Sequence, residues 1–230
     1  MISKENMLYI NNAIKIFNGL VNKTYLIGFG ANRNQPLNFI EIQIGEQNFW
    51  HLVACKIDHT QNLSKSDAHT LYEKCLIGED ISDFLIYTHK SIDVKIKSSV
   101  IERVFDFIGN AKVLRIIGTE NTPESYMFEL GIGAGAISGL VGYSSVKNIY
   151  IPKTAQMKSI FSIDSKANNK IEMILSKNSY HRQYDTIEFE SSKGLFAKLS
   201  PQLFEACKLS PNLIALIPKK SIDITSKQII

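Results

Sequence analysis

Apolar residues at Met7, Ile10, Ile14, Phe17 and Val21 recur at steps of three and four, which predicts an amphipathic helix over 5–22. Residues 25–30 then read as a strand and 31–36 as a polar loop. Over 39–44, Ile40, Ile42 and Ile44 alternate with Phe39, Glu41 and Gln43, the period of a half-buried strand. Gly45-Glu46-Gln47-Asn48 predicts a hairpin turn into the run 49–56. In that run both the odd positions (Phe49, His51, Val53, Cys55) and the even ones (Trp50, Leu52, Ala54, Lys56) are mostly apolar. This is the pattern of a strand covered on both faces, and His51 within it must be hydrogen-bonded or put to use.

Further along, 64–76 reads as a helix with Ala68, Leu71, Tyr72, Cys75 and Leu76 on one face. A second helix is expected over 98–108, capped by Ser98, with Val100, Ile101, Val104, Phe105 and Ile108 inward and Gly109-Asn110 ending it. Short runs at 113–117, 126–132, 138–143, 148–151, 171–175 and 184–190 are broken by Gly, Asn, Ser and Pro and predict strands. Ser200-Pro201 and Ser210-Pro211 each open a terminal helix, and 219–230 reads as a loosely ordered tail. Helices alternate with groups of antiparallel-looking strands, without the regular rhythm of a parallel sheet. The expected class is α+β, with helices packed on a twisted antiparallel sheet in one domain, 1–230.

Composition narrows the function classes modestly. With 44% hydrophobic and 21% charged residues in 230, the chain can bury a substantial core. The net charge of +4 permits an anionic partner without demanding one. Cys55, Cys75 and Cys207 are far apart and form no Cys-x-x-Cys pair, so neither a disulfide framework nor a zinc knuckle is signalled. The first residues lack the apolar core of a signal peptide, and no run of about 18 apolar residues occurs. A cytoplasmic setting without a membrane partner is the simplest expectation.

Three groups of residues invite a chemical reading. Gly131-Ile132-Gly133-Ala134-Gly135-Ala136 follows a strand, but it lacks the lysine of a phosphate loop and precedes a strand rather than a helix. Glycines in a turn explain it better. His51, Cys55 and His59 are spaced by four, yet no nearby fourth ligand suits zinc. The polar and cationic set His51, Lys56, Lys158, Lys177 and Tyr184 matters more. Metal-free RNA cleavage needs a base for the 2′-hydroxyl, an acid for the 5′-oxygen and cations at the phosphate, and these residue types supply them. Taken singly, each has a plain structural reading: solvated lysines, a strand-edge tyrosine, a core histidine.

The order of several short motifs resembles the phage Barnase–EndoU–colicin–RelE-like nuclease families, the fourth of that series in particular. The motifs are Phe49-Trp50-His51-Leu52, Leu71-Tyr72-Glu73-Lys74-Cys75, Ile151-Pro152-Lys153-Thr154 with Lys158, Ile174-Leu175-Ser176-Lys177, and Tyr184. The match runs over about 39–189 and departs at Val53-Ala54, where the family block reads Thr-Gly.

This resemblance implies a Barnase/RelE-like core over about 24–190, with helical additions at 5–22 and 195–230. It implies an endoribonuclease that uses no metal or other cofactor, in a phage, prophage or toxin-like setting. His51, Lys177, Lys158, Thr154 and Tyr184 would form the catalytic set, with Lys56 and Tyr72 at the substrate. The implied partners are RNA, as tRNA or mRNA, and a protein inhibitor. A catalytically silent nuclease fold that binds RNA or protein is the alternative expectation, and a zinc enzyme on His51, Cys55 and His59 a third.

Overall fold

The computed structural model describes residues 1–30, 36–58, 60, 68–106, 108–118, 128–134, 139–163 and 169–218. Helix α1 (Lys4–Asn18) forms where the spacing predicts it, with Ser3 Oγ accepting from the Asn6 amide and with Met7, Ile10, Ile14 and Phe17 buried. It ends four residues before 22, and Asn22, in the left-handed region at φ 63°, turns the chain into β1 (Lys23–Gly30). β2 (Asn38–Ile44) pairs antiparallel with β1, Tyr25 opposite Ile42 and Ile27 opposite Ile40.

The expected strand over 49–56 is not one strand. Residues 46–48 make a 3₁₀ turn, with the Gly45 amide donating to Asn48 Oδ1 (3.0 Å), and Phe49–Leu52 is a short helix, α2. Only then comes β3 (Cys55–Ile57), which pairs with β4 (Leu85–Tyr87) as a separate two-stranded sheet. A run apolar at odd and even positions alike fits a helix enclosed in a core as well as a doubly covered strand.

Two more helices complete this layer. α3 (Ala68–Leu76) buries Leu71, Tyr72 and Cys75; the first residues of its predicted range, 64–67, lie outside the described part. α4 (Ser91–Val104) starts seven residues before the predicted boundary. Ser98 is not its cap but a fully buried mid-helix residue in the stripe Val94, Ser98, Ile101. One small polar residue in the apolar stripe concealed the first two turns. The cap is supplied instead by Asp93, whose carboxylate accepts from the Lys90 amide (3.1 Å).

The remaining strands correct the expected fold class. β5 (Leu114–Gly118), β6 (Leu130–Ala134), β7 (Leu140–Val146) and β8 (Ile149–Gln156) form an antiparallel meander, followed by β9 (Asn169–Asn178) and β10 (Thr186–Glu190). Their order is β1-β2-β8-β7-β6-β5-β9, and β9 pairs back onto β1. This is a closed seven-stranded barrel of mixed direction, not helices on an open antiparallel sheet. Closure rests on two short seams: β2 and β8 run parallel through Glu41↔Ile149 and Ile42↔Tyr150, and β5 meets β9 through Arg115↔Lys170 and Ile116↔Asn169. β9 is ten residues long, so its first part serves β5 and its last part β10 on the same edge.

One face of all seven barrel strands contributes to a single apolar cluster, with Tyr25, Ile42, Ile174, Ile116, Ile132, Val141 and Ala155 among its members. The same cluster takes in α1 to α4, so α1 is built into the core rather than added to it. The opposite face of β1 and β9 (Leu26, Met173, Leu175) is covered by α5 (Leu195–Lys198), α6 (Ser200–Ala206) and α7 (Pro211–Ile214). Ser210 caps α7 as its sequence predicts, accepting from the Leu213 amide, whereas α6 is entered from Leu199.

Phe49 is fully buried and meets Phe17 at a tilt (5.3 Å between centroids) and Trp50 (5.2 Å) and Tyr72 (5.7 Å) edge to face. Phe49→Ala is expected to lower unfolding stability by about 3–5 kcal/mol, read from the denaturant midpoint; a loss below about 1 kcal/mol would contradict the central place given to this ring.

Candidate functional site

Every side chain of 49–55 is buried except that of His51. Phe49, Trp50, Leu52 and Val53 hold α2 from below, and the Trp50 indole N–H donates to the Ala68 carbonyl of α3 (3.2 Å). The helix stops because Ala54 adopts left-handed backbone at φ 58°, with the Ala54 amide closing onto the His51 carbonyl (3.3 Å). Glycine is the usual residue in that conformation, and alanine holds it at a cost of roughly 1 kcal/mol. Ala54 stands where the resembled motif has the glycine of Thr-Gly, a position at which the backbone here favours glycine.

Three elements converge on His51. α2 and α4 both pack on β8. The Thr88 amide donates to the Ala54 carbonyl (3.0 Å), which ties the end of β4, and hence His89, to the end of α2. Lys153 is the residue left over where the β7–β8 register steps from Gly142↔Thr154 to Tyr143↔Pro152, a β-bulge. Bulges re-aim a side chain out of the ladder, and are common beside active sites. The result is a basic group around one imidazole: Lys97 from α4, Lys153 from β8 and His89 from the loop after β4.

The electrostatics follow from that company. Burial, then the charges of Lys97, Lys153 and His89, hold the His51 imidazole below its ordinary value of 6.5. Lys97 is half-buried, and burial lowers its ammonium as well, opposed by Asp93 and Cys55. His51 is thus a neutral, solvent-facing base near neutral pH, in a positive field that an anion would relieve.

The other residues singled out from sequence lie in different surroundings. Lys177 on β9 and Tyr184 share Glu41 of β2: the Tyr184 hydroxyl donates to Glu41 Oε1 (2.5 Å), and Lys177 Nζ lies 3.5 Å from the same oxygen. Lys177 Nζ also sits 4.5 Å from the centre of the Tyr184 ring. Burial, then Glu41, drives the Tyr184 phenol far above its ordinary range, so it stays protonated and committed to Glu41. Among the described residues, no hydrogen bond or ion pair joins this trio to His51.

Thr154 is half-buried on β8, next to Lys153, while Lys158 and Lys56 are exposed. Tyr72 is enclosed in the core with its hydroxyl donating to Asn18 Oδ1 (3.3 Å), so its ring is not presented to solvent. Cys55 is buried, its thiol pushed up to about 12 by burial and donating to the Val53 carbonyl, and His59 lies outside the described residues. Gly131 and Gly133 stand inside β6, where a Cβ at Gly131 would come within 2.9 Å of Ile117, so close packing explains them; residues 135–136 lie outside the described part.

Lys97, Lys153, His89 and Glu41 escaped the reading of the sequence. Lys153 stands at the unspecified position of Ile-Pro-x-Thr, and Lys97 lies in the half of α4 that Ser98 conceals. His89 and Glu41 carry no local signal, because their roles arise from pairing across the chain. No family model matches the chain, and no match is found among curated proteins or solved structures. Among the described residues, no helix is long and apolar enough to cross a membrane.

Because the folded chain disfavours the His51 imidazolium, stability from this group rises with pH between the lowered midpoint and 6.5, and is complete above 6.5. An NMR titration of the His51 ring is expected to show a midpoint under 6.5 that moves upward in Lys97→Met. A midpoint unchanged by that substitution would show that Lys97 does not act on the ring.

Proposed function

We propose that the chain is a metal-independent endoribonuclease in which His51 is the general base. The observation that supports this reading is the exposed imidazole of lowered basicity set among Lys97, Lys153 and His89. A phosphodiester seated between these cations presents its neighbouring 2′-hydroxyl to a neutral histidine. His51 takes that proton, the 2′-oxygen attacks phosphorus, and the bond to the 5′-oxygen breaks. The products are a 2′,3′-cyclic phosphate and a 5′-hydroxyl end, the departing oxygen receiving a proton from His89, Lys97 or water. Lys97 and Lys153 would neutralise the charge that builds on the non-bridging oxygens. In this reading Thr154 orients the strand beside Lys153, Lys56 and Lys158 contact RNA at a distance, and Lys177 and Tyr184 brace the barrel through Glu41.

A second reading has one specific observation in its favour. Among the described residues no carboxylate is hydrogen-bonded to His51 to fix its tautomer. A cationic patch without an oriented base binds RNA but does not cut it.

Cleavage of labelled tRNA and mRNA in EDTA separates the two. For a nuclease, His51→Ala is expected to lower the rate by at least about 100-fold, with Lys97→Met and Lys153→Met lowering kcat more than they raise KM, and with the melting temperature of His51→Ala near that of the wild type. Salt-sensitive RNA affinity without product from the folded wild type would select the binding reading.

A further inference from the structure

The segment that ends at His51 starts from a second cluster of chemistry-bearing side chains. Glu46 Oε2 of the 3₁₀ turn lies 2.5 Å from His69 Nδ1 of α3. Glu73 completes the group, and the donor atoms of Glu46, His69 and Glu73 all lie within 4.8 Å of one another. His69 and Glu73 are four residues apart on α3 and so share its outer face, while Tyr72 between them points into the core.

Among the described residues, no lysine or arginine forms an ion pair with Glu46 or Glu73, and the two carboxylates are held together with an imidazole between them. Their negative field adds to burial in raising the Tyr72 phenol. Glu46 and His69 also line a cleft of about 450 Å³ whose other walls include Asn22, Gln43, Gln47 and Ser179. These are amide and hydroxyl groups suited to hydrogen-bonding the water that completes a metal's coordination.

We propose that Glu46, His69 and Glu73 form a binding site for a divalent transition-metal ion of the zinc or manganese kind, open on one side to the polar cleft. One imidazole nitrogen with two carboxylate oxygens suits Zn²⁺, Mn²⁺ or Co²⁺; the nitrogen disfavours Ca²⁺, and the absence of thiolate from the set disfavours Cu⁺. Ligands of a tetrahedral zinc at about 2.0–2.1 Å stand roughly 3.3 Å apart, so the Glu46–His69 pair has to widen and the imidazole to give up its proton on that side. Three protein ligands leave positions for water or a ligand donor from the cleft. The ion would link the 3₁₀ turn to α3 and so stiffen the segment that carries His51. The site is separate from His51 and does not depend on the nuclease reading.

The test is titration calorimetry of ZnCl₂ and MnCl₂ into EDTA-stripped, dialysed full-length chain, paired with melting curves at rising metal concentration. One ion per chain is expected to bind saturably and raise the melting temperature. His69→Ala and Glu73→Gln should each weaken binding by more than an order of magnitude, while His51→Ala binds as the wild type does. The proposal is overturned if the wild type takes up neither ion. It is equally overturned if both cluster variants bind as tightly as the wild type, or if His51→Ala loses the ion, which would place the metal elsewhere.

Discussion

The burial of four large side chains, two on either side of one exposed histidine, is the constraint on which the rest of the site depends. Phe49, Trp50, Leu52 and Val53 cannot all be buried by an extended strand without carrying residue 51 inward with its neighbours. A single helical turn solves this, since it has one direction facing away from the core and His51 occupies it. The same aromatic group then organises what surrounds it. Phe17 brings α1, Phe105 brings the end of α4, and Tyr72 with the Trp50 indole brings α3. His51, Lys97 and the outer face of α3 are thus all positioned by contacts on the hidden side of the elements that carry them.

Closure of the barrel acts at longer range. β8 reaches β2 only through the short parallel seam near Tyr150, and a bulge follows within a few residues of that seam. Leaving the flat ladder at that point lets Lys153 stand clear of it, where α2 and α4 pass. The clamp made by Glu41, Lys177 and Tyr184 lies near the other side of that seam, crossing from β2 to β9 over β1. Its charges are mutually satisfied, which suits a brace better than a reacting group: a lysine paired to a carboxylate and a phenol held protonated have little left to give a substrate.

What the sequence made legible divides along the range of the interactions. α1, β1, β2 and the Ser210 cap are set by neighbours within a turn or a hairpin, and periodicity finds them. The helical state of 49–52 was hidden because burial on all sides erases the period that tells a helix from a strand. Ser98 hid half of α4 for the opposite reason, a polar residue in an apolar stripe. Ring closure was illegible because β2–β8 and β5–β9 join segments far apart in the chain, through backbone groups that every residue carries. At the site, His51 was found as a polar residue among apolar ones. Lys97 and Lys153 were not found, because a lysine on a surface looks the same in sequence whether its neighbours are water or another cation.

The two charged clusters of opposite sign are consequences of one packing decision. Glu46 and His51 flank Phe49 and Trp50 on a single uninterrupted segment, and α3, which carries His69 and Glu73, is fixed to that segment by Tyr72 and by the Trp50 hydrogen bond. A force that moves the 3₁₀ turn relative to α3 also loads these aromatic contacts, and it reaches α2 next. Dense cores transmit such displacements because they have little free volume to absorb them. An ion drawing Glu46 and His69 into one coordination shell would therefore be felt at His51 as a change in how firmly α2 is seated. Its direct field would count for less, since the wall of aromatic side chains separates the clusters and solvent screens the exposed groups on both sides. Coupling of this kind would alter how firmly the His51 imidazole is seated while leaving Lys97 of α4 and Lys153 of β8 where their own elements hold them.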